Sequence, residues 1–163
     1  MTDSTPSGAK NQASAANCPV QFTAYGLPKP AGSKRAFQHR HTGRIVVTDA
    51  AKGSRAWKQE VASAARAAMT NAVVTDSGLL PDGPLGLHVE FFVPRPKGHY
   101  GARGLRPTAP DYPTTRPDVT KLVRAVEDAL TGVVWRDDAQ VVVQTVSKHY
   151  GEPARCEVAV IVL

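Results

Sequence analysis

Two stretches decide the fold: residues 85–93 read LGLHVEFFV, and residues 119–131 read VTKLVRAVEDALT. In the first, large apolar side chains occupy every second position, which is the period of a β-strand with one buried face. In the second, apolar side chains recur at steps of three and four, which is the period of an amphipathic α-helix. Gly132 follows as a helix terminator. The two patterns together predict a helix packed on a sheet.

The residues before these stretches predict one more helix and a hairpin. Residues 54–71 repeat apolar side chains at helical spacing, with Ser54 as a candidate N-cap. Residues 20–26 and 44–48 alternate in polarity or are β-branched. They predict two strands that pair as a hairpin across the basic loop 32–43.

The remaining residues predict a long loop and two more strands. Residues 94–117 hold six prolines and five Lys or Arg, a composition typical of a loop without regular structure. Residues 140–149 and 155–163 predict a terminal hairpin. This order of elements favours the α+β class: a two-layer sandwich, with a small mixed β-sheet and two main helices packed on one face.

Length and composition limit the kind of protein. Residues 1–19 are rich in small polar side chains, which predicts a disordered N-terminal arm, and residues 20–163 then form a single domain. No run approaches the roughly 18 apolar residues of a membrane span. The start of the chain has no apolar secretory signal, so we expect a cytoplasmic protein with no membrane partner. Cys18 and Cys156 have no zinc-binding spacing and are expected to be free thiols.

The charge balance indicates a polyanionic partner. The chain has 20 Lys and Arg against 14 Asp and Glu, a formal charge of +6, and a pI near 9.6. A positive surface attracts phosphates and releases their counterions, which favours nucleic acid. A solvated basic surface without a partner is the alternative. The expected DNA contacts are Lys29, Lys34, Arg35, Arg40, Arg44, Arg95, Lys97, Arg103, Arg106 and Arg116.

Candidate chemistry is concentrated between residues 118 and 138. Asp118 begins the second helix, and Asp137 and Asp138 precede the strand at 140–149. If the helix packs antiparallel to that strand, we expect these carboxylates to converge. Gathered carboxylates repel one another unless a cation lies between them. Mg²⁺ suits such a site because it accepts one or two carboxylates and completes its shell with water and phosphate oxygens.

A phosphodiester bond is a suitable substrate for this arrangement. A divalent ion activates water for attack on phosphorus, and Lys121 or Arg124 would orient the phosphate or neutralise its added charge. Structural roles explain the same acids: Asp118 as a helix N-cap and Asp137-Asp138 as a solvated turn. Asp128 is expected to pair with Arg124, four residues earlier.

Two segments, 116–130 (RPDVTKLVRAVEDAL) and 134–142 (VWRDDAQVV), together resemble the RusA family of Holliday-junction resolvases. The segment Gly26-Leu27-Pro28-Lys29-Pro30 and Trp57 are similar to that family as well. The resemblance covers residues 20–163. It implies a homodimeric, Mg²⁺-dependent endonuclease, often carried by phages, that cuts two opposing strands of a four-way DNA junction symmetrically. Mn²⁺ is the expected substitute for Mg²⁺.

The resemblance also implies roles for individual residues. Asp118 matches the first acid of the family's Asp-x-Asp motif, and Asp138 matches the essential acid of its Asp-Asp-x-Gln motif, so both are expected metal ligands and catalytic residues. Asp137 is a neighbouring helper, and Arg124 stands where the family often has a catalytic lysine. Thr120 replaces the second acid of Asp-x-Asp, which removes one anionic ligand from the site.

Three hypotheses follow. The first is a Mg²⁺-dependent, structure-selective endodeoxyribonuclease that resolves Holliday junctions in DNA recombination and repair. The second is a junction-binding DNA protein of the same fold, in which Thr120 has weakened or abolished cleavage. The third is an RNA-binding or regulatory module, which the clustered carboxylates favour less.

Overall fold

The computed structural model describes residues 20–32, 34–38, 40, 42–49 and 53–163, with the backbone alone for 34–38 and 46–49. The expected arm at 1–19, with Cys18, lies outside the described residues. The described elements are, in chain order, β1 Val20–Tyr25, β2 Lys34–Gln38, β3 Ile45–Asp49, α1 Ser54–Met69, β4 Leu85–Val93, β5 Tyr100–Gly101, β6 Gly104–Leu105, α2 Val119–Leu130, β7 Val141–Tyr150 and β8 Arg155–Val162.

The main sheet has four strands in the order β1-β8-β4-β7, in which β4 and β7 run parallel and the other pairs antiparallel. Alternate side chains of β1, β4 and β8 are buried and point to one face, as the period of two requires. Both helices cover this face with their apolar stripes, for example Trp57 and Val61 from α1 and Leu122 and Val126 from α2. The predicted α+β class with a mixed sheet is confirmed.

Both predicted hairpins are wrong, because strands pair with distant partners. β1 pairs with β8 rather than with β3, and β3 pairs with β2 in a separate two-stranded sheet. β4 lies between β8 and β7, so the last two strands do not contact each other. The apolar pattern of β4 suits a central strand, and the helix α2 supplies the crossover that parallel strands need.

Glycines set the start of one helix and follow the end of the other. Gly53 occupies the N-cap of α1 with a φ of 84°, a left-handed conformation that side chains disfavour. Ser54, the predicted cap, instead lies inside the helix, where its hydroxyl is buried without a hydrogen-bond partner among the described residues. Gly132 follows α2 with a φ of 75°.

The long loop between β4 and α2 is largely irregular, as predicted. It contains a 3₁₀ turn at Lys97–His99 and a short hairpin formed by β5 and β6. Cys156 is a free thiol buried in the core, and this burial raises its pKa to about 12. Of the helices in the described ranges, none has the length and apolar character needed to cross a membrane.

Candidate active site

The helix α2 lies across β7 in the opposite direction. Near the start of α2, Lys148 Nζ donates hydrogen bonds to the carbonyl oxygens of Thr115 (2.8 Å) and Pro117 (2.9 Å). Near its end, the side-chain amide of Gln144 donates to the carboxylate of Glu127. The start of the helix therefore lies beside the end of the strand.

This arrangement does not bring Asp118 and Asp138 together as the sequence led us to expect. In an antiparallel pair, the start of the helix lies beside the end of the strand. Asp118 is at the start of the helix and Asp138 precedes the start of the strand, so the two acids lie at opposite ends of the pair. The charge of Asp138 instead acts on Glu127. Glu127 is nine residues from Asp118, or about 13 Å along a helix. We call the two regions the basic end (Lys29, Arg116, Asp118, Lys121 and Lys148) and the acidic end (Glu127, Asp137 and Asp138).

The basic end is a pocket of about 530 Å³ lined by all five of its residues. Asp118 stands at the N-cap position of α2, but its carboxylate makes no capping hydrogen bond. The carboxylate pairs instead with Lys121 Nζ at 3.2 Å. Both side chains are more than half exposed, so this pair adds little stability. One carboxylate among four cations makes a site for an anion such as a phosphodiester.

Lys148 is the member of the basic end that sequence reasoning missed. Its side chain is on the helix-facing side of β7, where a charged group needs oxygen partners. The carbonyl oxygens of Thr115 and Pro117 are those partners, so Lys148 holds the chain that leads into Asp118. A lysine at an inward position of an alternating strand is the signal that would have found it.

The acidic end begins with a capped turn. Asp137 accepts a hydrogen bond from the amide of Ala139 at 2.9 Å, and Gln140 Oε1 accepts one from the amide of Asp137. These bonds form a capping box at the 3₁₀ turn Asp138–Gln140. The Ala139 amide, together with Asp138, lowers the pKa of the Asp137 carboxyl. Asp137 therefore stabilises a turn, which is the structural role that the sequence analysis gave for Asp137 and Asp138.

Glu127 is a second residue of interest, one to which the sequence analysis assigned no role. Partial burial raises its pKa, and the nearby charge of Asp138 raises it further. Thr120, Arg124 and Glu127 follow one another at helical spacing, so they share one face of α2 between the two ends. Asp128, which was expected to pair with Arg124, has Lys58 as its partner instead, at 2.9 Å.

The predicted DNA contacts whose side chains the structure describes fall into three groups. Lys29 and Arg116 line the pocket. Arg95 and Arg106 bind backbone oxygens of their own loop, and Arg95 also stacks on Tyr150. Arg40, Arg44, Lys97 and Arg103 are exposed on the surface. For Lys34 and Arg35 the structure describes the backbone alone.

The residues of one chain do not fit a carboxylate-held Mg²⁺ site. Among the described residues, no three His, Cys, Asp or Glu side chains are grouped to hold a metal ion. Asp118 is paired with an ammonium group, and Asp138 does not line its pocket. Mg²⁺ demands a nearly octahedral set of oxygens, and a lone carboxylate among lysines does not provide it.

Comparison with known proteins identifies the family. Residues 28–161 match the family described as Endodeoxyribonuclease RusA. The chain is also 34% identical over 144 residues to the uncharacterized protein YqaN of Bacillus subtilis (strain 168), an alignment that covers 86% of this chain and 94% of that protein. The chain therefore belongs to the RusA endodeoxyribonuclease family.

Proposed function

We propose that this protein is a structure-selective endodeoxyribonuclease that resolves Holliday junctions by symmetric strand cleavage, in the cytoplasm of a bacterial or phage-infected cell. The observation that carries the proposal is the pocket that holds Asp118 among Lys29, Arg116, Lys121 and Lys148. A phosphodiester is the anion that fits this charge, and the family supplies the reaction class.

The pocket residues divide the work of hydrolysis. The cations bind the non-bridging oxygens of the phosphate and stabilise the negative charge that develops when water attacks phosphorus. Asp118 accepts a hydrogen bond from the attacking water, orients it, and takes up the proton that the water releases as its oxygen bonds to phosphorus. The bond from phosphorus to the departing oxygen then breaks, and the departing oxygen takes up a proton from solvent. Lys148 is a positioning residue because it fixes the backbone before Asp118.

A divalent cation, Mg²⁺ or in its place Mn²⁺, is the cofactor that family membership implies. The acidic end is the region that would attract it, because Glu127, Asp137 and Asp138 concentrate negative charge there. Since one chain does not complete such a site, no step above passes through the ion. Chelation by EDTA is the test of the requirement.

A homodimer is part of the proposal, and β7 supports it. This strand is at the edge of the main sheet, and its Val142 and Val143 side chains are 60% and 52% exposed. An exposed edge strand is a template for pairing with a second strand. Antiparallel pairing of two copies along β7 would set the acidic end of each chain beside the basic end of its partner, with complementary charge.

The alternative function is junction binding with weak or lost cleavage. Thr120 favours it, because a neutral hydroxyl stands where the family pattern has an acid. The basic end would still bind phosphates in this case. Binding and cleavage must therefore be measured separately.

The experiment compares a labelled four-way junction with a linear duplex of the same sequence. We expect paired nicks in opposing strands of the junction, little cutting of the duplex, and no cutting in EDTA. Tight binding without nicks at any Mg²⁺ or Mn²⁺ concentration would support the alternative function. Equal cutting of both substrates would contradict structure selectivity.

A further inference from the structure

The pocket at the basic end is larger and more apolar than a phosphate requires. Beyond its charged residues, its wall is made largely of apolar side chains from four segments of the chain. They include Leu27, Pro28, Val93, Pro94, Pro113 and Tyr150. Its volume of about 530 Å³ lies in the range of about 300–1,000 Å³ typical of ligand pockets.

The wall is held by contacts of its own. Pro113 is buried, and the ring of Tyr150, which also lines the pocket, is covered by the Arg95 guanidinium at 4.1 Å. Arg95 is in turn fixed by a hydrogen bond of 2.6 Å to the carbonyl oxygen of Pro110. These contacts fix the part of the wall that the Tyr150 ring forms.

The combination of this wall with the cations selects the ligand. A free phosphate would leave the apolar surface exposed to water, and a purely apolar ligand would leave the excess positive charge of the pocket uncompensated. A nucleotide unit satisfies both parts, since its base is flat and apolar on its faces and its phosphate is anionic. A paired base inside a duplex must be unpaired and unstacked before it can enter a pocket, and we expect this cost to be lower at the centre of a junction, where the strands separate.

We propose that this pocket captures an unpaired nucleobase of the strand to be cut, directly beside the phosphate held at Asp118. The proposal rests on the proposed nuclease function and deepens it. Base capture contributes junction selectivity, because a base leaves the stack at lower cost where strands branch than inside a fully paired duplex. It also gives the pocket an influence on which phosphate is cut.

The test uses 2-aminopurine, a base whose fluorescence rises when it leaves the stack. After the cut phosphates are mapped, 2-aminopurine is placed in turn on either side of them in a four-way junction. Binding is followed with the Asp138→Asn protein, whose change lies outside the pocket. We expect a severalfold rise at one position with the junction and none with the linear duplex.

The pocket variant is Leu27→Trp, which fills the cavity from a position that is 48% exposed and so does not disturb the core. Its matched control is Leu163→Trp, at an exposed position of 59% outside the pocket. Both variants carry Asp138→Asn. We expect the rise to disappear with Leu27→Trp and to persist with Leu163→Trp, while fluorescence anisotropy reports junction binding by both.

Two results would overturn base capture while leaving the nuclease function intact. One is no rise at any position although the junction binds and wild type cuts it. The other is the same rise in Leu27→Trp as in the control. Absence of both junction binding and cutting by the wild-type protein would instead contradict the proposed function, and base capture with it.

Discussion

The two ends of α2 differ in charge, in partners and in what the sequence reveals of them. At the basic end, one carboxylate stands among four cations in a pocket. At the acidic end, Asp138 interacts with both Glu127 and Asp137, and the pKa values of Glu127 and Asp137 are displaced in opposite directions. A phosphate is attracted to the first and a cation to the second. Cutting a phosphodiester with the help of a divalent cation requires a site for the phosphate and a site for the cation. We therefore infer that the basic end and the acidic end act together.

Mixing two inactive variants tests whether the ends of different chains combine. Asp118→Asn and Asp138→Asn proteins, each expected to be inactive alone, are mixed in equal amounts and allowed to exchange subunits. Half of the dimers become mixed, and each of these has one site with both acids if sites are shared between chains. We expect nicking to return to about a quarter of the wild-type rate. Absence of any recovery would show that each site lies within one chain.

Removing Lys148 tests how Asp118 is positioned. Lys148→Met deletes both hydrogen bonds to the segment before Asp118. Small misplacements at a reacting centre are costly, so we expect kcat for junction cleavage to fall about 100-fold. Lys148→Arg retains donors for the same carbonyl oxygens and should recover part of the activity. Equal loss in both variants would contradict a positioning role.

Placing an acid at position 120 tests whether a carboxylate on the face of α2 between the two ends increases cleavage. Thr120→Asp adds a carboxylate one turn before Arg124. We expect a severalfold gain in cleavage or a lower Mg²⁺ requirement, seen in a titration of rate against metal concentration. Thr120→Asn, of similar size without the charge, is the control. An equal gain in both variants, or no gain in either, would show that the missing acid at position 120 does not limit cleavage.

The smallest expected effect concerns Glu127. Since folding raises its pKa, mainly through burial, its carboxylate destabilises the fold as pH rises through the raised value, and this cost is absent well below 4.5. Glu127→Gln should therefore raise the free energy of unfolding at pH 7 by less than about 1 kcal/mol. The same substitution should not raise it well below pH 4.5, where the carboxyl is protonated in the folded and unfolded states. Urea unfolding at both pH values measures this. Glu60→Gln, on the exposed side of α1, is the control.

Local patterns predicted both long helices and the four strands of the main sheet, whereas β2 lies in a segment predicted to be a loop. The patterns did not predict which strands pair. The periods of two and 3.6 gave β4 and α2 within a residue of their observed bounds. The hairpin predictions failed because the periodicity of a strand does not determine which strand it pairs with. In the structure β4 lies between β7 and β8, which were predicted to pair with each other.

The candidate site divides in the same way. Asp118 and Asp138 are visible as motif residues, whereas their separation depends on the direction in which α2 crosses β7. Lys148 belongs to the site only because that crossing brings it to the carbonyl oxygen of Pro117. A sequence shows which residues carry charge, but the packing of distant segments decides which charges meet.

The central claim is that the acids at both ends of α2 serve one cutting reaction. The most direct test measures cleavage and binding of a labelled four-way junction by wild type, Asp118→Asn and Asp138→Asn under the same conditions. We expect each variant to lose at least about 100-fold in cutting while it binds as tightly as wild type, because removal of negative charge does not weaken contact with phosphates. Undiminished cutting by either variant would contradict the claim.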